Sequence, residues 1–274
     1  MQHASALVDA AGQRHARAAP AARIVSLVPS ITELLFDLGL GSQVVGRTGF
    51  CIHPRDAVRA VPKLGGTKDV ALDALVALAP SHVIVNIDEN TRETFDALRA
   101  QGLTVVVTHP NAPADNLALY DLLGAIFGRE REAAALAEAF RAARARVAAV
   151  ARRLPSRRVL YLIWREPWMT VARGTYIANM LAEVGWTTVP AESALRYPAL
   201  DDAACRAAAP DLCLLSSEPY PFRDKHLAEV RALLGGQVPV RLIDGEMVSW
   251  YGSRAIRGLD YLASFATDCV ASAA

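Results

Sequence analysis

Two stretches far apart in the chain follow one plan: LDALVALAPSHVIVN, from Leu72, and LDDAACRAAAPDLCLLS, from Leu200. Each runs through Leu-Asp, a helical segment, a proline, an apolar strand and a small polar residue. A strand that is apolar at consecutive positions has no polar face and must be covered on both sides, as in a parallel sheet. A second pair, IVSLVPSITELLFDLGL and LYLIWREPWMTVARGTYIANMLAEVGW, repeats strand, loop, helix and glycine. An internal repeat at this distance predicts an α/β chain of two similar, Rossmann-like lobes.

Over residues 23–110 strands and helices alternate, which argues for a parallel sheet with helices on both faces. RIVSLVP, QVVG, HVIVN and LTVVVTHP read as strands. ITELLFDLGL reads as a helix with Ser30 as N-cap and Glu33 completing a capping box. ALDALVALAP and TRETFDALRAQG are further helices, the second stopped by Gly102. DNLALYDLLGAIFG follows as a helix. Residues 129–154 then lack proline and are dominated by alanine, leucine, glutamate and arginine, all strong helix formers. At about 1.5 Å per residue they predict one helix of roughly 39 Å. After Pro155 the alternation resumes. The expected organisation is a loose tail over 1–22, an N-terminal α/β lobe over 23–128, a linking backbone helix over 129–154 and a C-terminal α/β lobe over 155–274. Loops following the strands would face one another across a cleft, the usual ligand site of α/β folds. A long helix resists hinge bending, so opening of that cleft is expected to be small.

The net charge is +1, which gives no global field to draw the chain to nucleic acid or acidic lipid. Of the four cysteines, Cys51, Cys205, Cys213 and Cys269, none forms a CxxC pair, and no zinc framework is matched. The N-terminal stretch is broken by Asp9, Gln13, Arg14 and Arg17 and does not read as a secretory signal. As written the chain is expected to be cytoplasmic, and periplasmic if the start is mis-assigned or a leader has been trimmed.

The loop FCIHP, residues 50–54, brings Cys51 and His53 two positions apart, with side chains on one side if the loop is extended. Three readings stay open. With His109 and Glu218, both at expected strand ends, the pair would make a zinc-like site. Either residue alone would serve as axial ligand to the iron or cobalt of a chelate. Or both merely line a pocket wall beside Phe50. The aromatic residues Trp164, Trp168, Tyr197, Tyr220, Phe222, Trp250 and Tyr251 fall in expected post-strand loops, a pattern suited to a large flat ligand. Arg47, Arg165 and Arg196 would meet carboxylate or amide arms of such a ligand. GGTK at 65–68 lacks phosphate-loop spacing, and no GxSxG occurs, so the expectation is a non-catalytic chain.

RIVSLVPSITELLFDLGLGSQVVGRT, VPKLGGTKDVALDALVALAPSHVIV, the long helix and IDGEMVSWYGSRAIRGLDYL together resemble the helical-backbone class of substrate-binding proteins, most of all its vitamin B12-binding members. The likeness covers about residues 23–268. The resemblance implies a protein that holds cobalamin or a related metal chelate, with Trp250 facing the ligand and an ABC permease as partner; the rigid two-lobe clamp is expected to be a monomer. It also implies one permease-docking acid per lobe. Asp73 matches the first; the second falls on Ala203, with Asp202 beside it.

Overall fold

The computed structural model describes residues 7–271. The chain divides into two compact units: unit 1 comprises Met1–Pro110, Ala114–Phe140 and Tyr251–Arg254, and unit 2 the remainder.

Unit 1 contains β1 (Ile24–Ser26), α1 (Pro29–Asp37), β2 (Val44–Arg47), α2 (Leu72–Ala77), β3 (His82–Asn86), α3 (Arg92–Ala100), β4 (Thr104–Thr108) and α4 (Asn116–Phe127). Its four strands are parallel in the order β2-β1-β3-β4. The apolar runs that predicted these strands become the core: Val25, Val83, Val85, Val105 and Val107 pack with Leu75 of α2 and Leu98 of α3. Gly128 ends α4 in the left-handed region, at φ 65°, and separates it from α5 (Glu130–Ala151). The division between the units falls inside α5, after Phe140.

Unit 2 contains β5 (Arg157–Trp164), β6 (Trp168–Thr170), α6 (Tyr176–Ala182), β7 (Trp186–Thr188), β8 (Ala199–Leu200), α7 (Asp202–Ala207), β9 (Leu212–Ser216), α8 (Leu227–Leu233), β10 (Val240–Ile243), α9 (Gly245–Ser249) and α10 (Arg254–Ala271). β7, β5, β9 and β10 are parallel and repeat the order of unit 1. β6 and β8 add an antiparallel pair beside the far end of β5.

The internal repeat extends to single hydrogen bonds. In unit 1 the Arg23 guanidinium donates to the Leu78 carbonyl at 2.6 Å, and the Arg23 amide donates to Ser81 Oγ at 2.9 Å. In unit 2 Arg158 donates to the Ala208 carbonyl at 2.7 Å, and its amide donates to Asp211 at 2.7 Å. Each arginine thus supplies a cation to carbonyls left over at a helix C-terminus. In both units the next residue, Ala79 or Ala209, takes a left-handed φ, 44° or 43°. A non-glycine residue there costs about 1–2 kcal/mol. The proline that follows, Pro80 or Pro210, cannot continue the helix.

The structure differs from the sequence expectation in four respects. The N-cap of α1 is Val28, with no side-chain cap, and the helix starts at Pro29. Proline at the first helical position needs no amide partner, so the box of Ser30 and Glu33 is not used. The linking helix ends at Ala151, about 33 Å at 1.5 Å per residue. Arg153 and Leu154 leave it through tighter turns ahead of Pro155. Of the stretch expected as a loose tail, residues 1–6 lie outside the described residues. Beyond them, Ala10 N donates to the Val107 carbonyl at 3.0 Å, and Asp9 accepts from Val107 N at 2.9 Å, so residues 7–15 cover the edge strand β4. Finally, the short elements β6, β7, β8 and α9, each five residues or fewer, have no counterpart in the sequence reading.

Candidate functional site

Parallel strands direct their carboxyl ends toward one edge of the sheet, and each unit has such an edge. In unit 1 it carries the loops after Arg47, Asn86 and Thr108. The loop after β3 is built by asparagines. Asn86 N donates to Asn90 Oδ1 at 2.8 Å, and Asp88 N donates to Asn86 Oδ1 at 2.8 Å. Asn90 Nδ2 reaches the Leu27 and Thr67 carbonyls at 3.2 and 3.0 Å, tying three loops together. This scaffold leaves the Ile87 side chain 51% exposed. Phe50 and Ile52 stand 62% and 43% exposed on the loop after β2. His53 is half-buried beside them, and His109 Nε2 lies 3.6 Å from Asp88.

In unit 2 the corresponding edge carries Trp164, the last residue of β5, 41% exposed. Its ring meets Tyr220 edge-on, with centroids 5.7 Å apart. Tyr220 in turn contacts Phe222 at 4.7 Å and His226 at 5.6 Å. His226 Nδ1 accepts from Arg223 N at 2.9 Å, so in the neutral ring Nε2 carries the proton and donates to Tyr220 Oη at 3.3 Å. The Trp164–Tyr220 pair is therefore braced from behind. Leu195, 65% exposed, lies in the loop after β7. Of the seven exposed large hydrophobic residues among those described, Phe50, Ile52, Ile87, Trp164 and Leu195 follow parallel strands; Val8 and Val76 do not. Apolar groups left in water at strand carboxyl ends mark where a ligand is received.

Several side chains expected to meet a ligand are committed elsewhere. Arg47 is buried and donates to the Val58, Thr48 and Cys51 carbonyls at 2.8, 3.1 and 2.9 Å, which fixes the loop after β2. Cys51 is fully buried, its sulfur 3.2 Å from Thr48 Oγ1, and burial pushes its thiol pKa up. The turn at Thr48–Cys51 directs that sulfur inward, so Cys51 and His53 do not share a face. Trp168 is buried in β6 and donates to Asp202 at 3.0 Å. Trp250 is buried and donates to Glu218 at 2.9 Å. Phe222 and Tyr251 are buried as well. Arg165 forms a fork with Glu229, at 2.8 and 3.1 Å, and also contacts Glu166. Arg196 donates to Gly174 O at 2.8 Å and Asn111 Oδ1 at 2.7 Å, with its guanidinium 6.0 Å from the half-buried Tyr197 ring.

Two of these groups have informative electrostatics. Burial raises the Glu218 carboxyl pKa, against hydrogen bonds from Ser249 and Trp250 that lower it. Glu218 thus anchors α9 and the following tryptophan. Burial, helped by the Glu89 charge and a hydrogen bond to it, holds the Tyr251 phenol well above its usual range. No three His, Cys, Asp or Glu side chains come together as a metal site among the described residues. Cys51, His53 and His109, the three members of the expected set that lie in unit 1, are not brought together as such a group.

Residues that the sequence reading missed are Ile52, Ile87, Leu195, Asp88 and Glu89. The signal lay in IDEN directly after the HVIVN strand, an isolated isoleucine among acids at a strand end. The positions that the resemblance offers for permease docking fall on matching helices. Asp73, the second residue of α2, is exposed. The second residue of α7 is Ala203, and the adjacent Asp202 is held by Trp168.

A family profile described as "Periplasmic binding protein" matches residues 24–234, most of the chain. The chain belongs to the periplasmic-binding-protein family. A stretch of 115 residues is 31% identical to the uncharacterized ABC transporter substrate-binding lipoprotein YvrC of Bacillus subtilis, covering 40% of this chain and 36% of that one. A stretch of 90 residues is 27% identical to the vitamin B12-binding protein of Yersinia pestis, covering 33% of this chain and 32% of that one. The matched stretches thus span about a third of the length of these curated relatives. Among solved structures, the periplasmic heme-binding protein RhuT from Roseiflexus sp. RS-1 matches with a TM-score of 0.76 at 24% identity, over 90% of this chain and 98% of that one. The periplasmic vitamin B12-binding protein of Vibrio cholerae matches with 0.75 at 17% identity, over 89% and 96%. These likenesses show the fold. No helix among the described residues is long and apolar enough to cross a membrane.

Proposed function

We propose that this family member is a non-catalytic binding protein for cobalamin or a related metal chelate, serving ABC-type uptake. The observation that carries the reading is that each unit leaves apolar side chains exposed on its post-strand loops: Phe50, Ile52 and Ile87 in unit 1, Trp164 and Leu195 in unit 2. A broad conjugated ring offers apolar faces to such groups, and their desolvation drives binding. Burial of the Cys51 thiol takes the softest donor away from a bare ion, which favours a metal that arrives already chelated. Relatives named for vitamin B12 and heme support the same class. Of Cys51 and His53, the half-exposed His53 is the one able to meet a ligand metal. Asp73 is the proposed permease-docking acid of unit 1.

The test is an absorbance titration of the purified protein with cobalamin, cobinamide and haemin. At least one is expected to bind saturably at one per chain. Trp164→Ala should weaken that binding by about 30-fold, the effect of losing an aromatic hot spot worth roughly 2 kcal/mol. A His53→Ala change that abolishes the visible band shift identifies axial ligation; an unchanged shift assigns His53 to the pocket wall. Failure of all three compounds to bind would refute the proposal.

A further inference from the structure

Unit 1 has a further cavity, of about 620 Å³, beneath the N-terminal segment. Its walls include Ser81 and His82 at the start of β3 and Thr104 at the start of β4. Val105 and Val107 line it as well, so it runs along the edge strand β4 from its amino end. Residues 9–19 form one side, and Phe95 and Arg99 of α3 the other.

The charge of this lining is lopsided. Arg14, Arg17, Arg99, His15 and His82 face it against a single carboxylate, Asp9. That carboxylate is already engaged: it accepts from His15 Nε2, Val107 N, Ala11 N and Gln13 N, each at 2.9 Å. Arg17 is matched by Glu130 at 2.8 Å. Arg99 rests 5.8 Å from the Phe95 ring and forms no ion pair among the described residues. Cations gathered around a concave space attract an anion more strongly than the same charges spread over a convex surface.

We propose that this cavity binds a small oxyanion of two or more negative charges, a phosphate or a polycarboxylate, with Arg99 as its counter-charge and His82 as a second contact. Such a ligand would fasten residues 9–19 onto the edge of the sheet. It would also reverse the local bias on His82, whose pKa is lowered by burial and by the neighbouring His15. Binding is then coupled to proton uptake by that ring.

Calorimetric titration with inorganic phosphate and, separately, with citrate tests this, using sodium chloride to hold ionic strength constant. Saturable binding of one or both at one per chain is expected, and which of them binds identifies the oxyanion class. Arg99→Gln, a helix-compatible change at an exposed position, should weaken binding about tenfold or more. The His82 ring resonance, followed by NMR, should titrate at higher pH in the saturated protein. Absence of saturable heat from both anions would overturn the proposal. So would an affinity unchanged in Arg99→Gln or an unmoved His82 titration. Chelate binding at the strand carboxyl ends is read by a different probe and stands or falls separately.

Discussion

The segment Tyr251–Arg254 reaches unit 1 from late in the chain and is held there by a buried ion pair. Arg254 Nε and Nη2 contact the two Glu33 carboxylate oxygens at 2.7 and 3.0 Å. Their side chains are only 5% and 8% exposed. Glu33→Ala would leave a guanidinium buried without its counter-charge, a loss of roughly 3–5 kcal/mol. With a urea dependence of about 3 kcal/mol per molar, the unfolding midpoint should fall by roughly 1–2 M. The control is Asp96→Ala, which breaks the Arg92–Asp96 pair, 79% and 56% exposed. That change should cost less than about 1 kcal/mol. In the double variant Glu33→Leu with Arg254→Met no charge is stranded, and much of the loss should be recovered. The assay is urea unfolding followed by tryptophan fluorescence. If Glu33→Ala matched the Asp96→Ala control, the reasoning that burial sets the cost would be refuted.

Two further predictions concern buried titratable groups. Glu218 has a raised carboxyl pKa, so its protonated form is favoured by folding and its contribution is lost as pH rises through the folded value. Glu218→Gln keeps an acceptor for Ser249 and Trp250. It should raise stability relative to the parent at about pH 8 and make no difference near pH 4, as read by thermal unfolding; a gain that grew toward low pH would contradict the sign. All four cysteines are buried and free, and burial raises the thiol pKa of each. A mild alkylating reagent at neutral pH should therefore label the native protein slowly at every cysteine and the unfolded protein rapidly. Fast native labelling of Cys51 would show that its loop opens.

The alternating architecture could be read from the sequence because HVIVN and DLCLLS are apolar at consecutive positions and are flanked by proline and polar residues. Such runs have few homes outside a covered parallel strand. β6, β7, β8 and α9 escaped because two to five residues do not establish a period. The N-terminal segment carries no apolar period either; the Asp9 carboxylate holds it through backbone amides, a contact that composition cannot reveal. For the site, residue type and position after a strand picked out Trp164, Tyr220, Phe50 and His53, which the structure leaves at least partly exposed. The same criteria also selected Trp168, Trp250, Arg47 and Cys51, which are buried. An indole with one N–H to satisfy can end in water or against a carboxylate, and Asp202 and Glu218 supplied the carboxylates. The partner that decides between burial and exposure lies 34 residues away in one case and 32 in the other.

The central claim, a flat chelate received on the post-strand loops, is tested most directly by amide hydrogen exchange with and without a saturating chelate. The account predicts slowed exchange in the loops at 48–53 and 87–91 of unit 1 and at 164–166 and 217–221 of unit 2. The cavity along β4 formed by residues 9–19 and α3 should be unchanged. Protection confined to that cavity, or absent from all four loops while the chelate is bound, would contradict it.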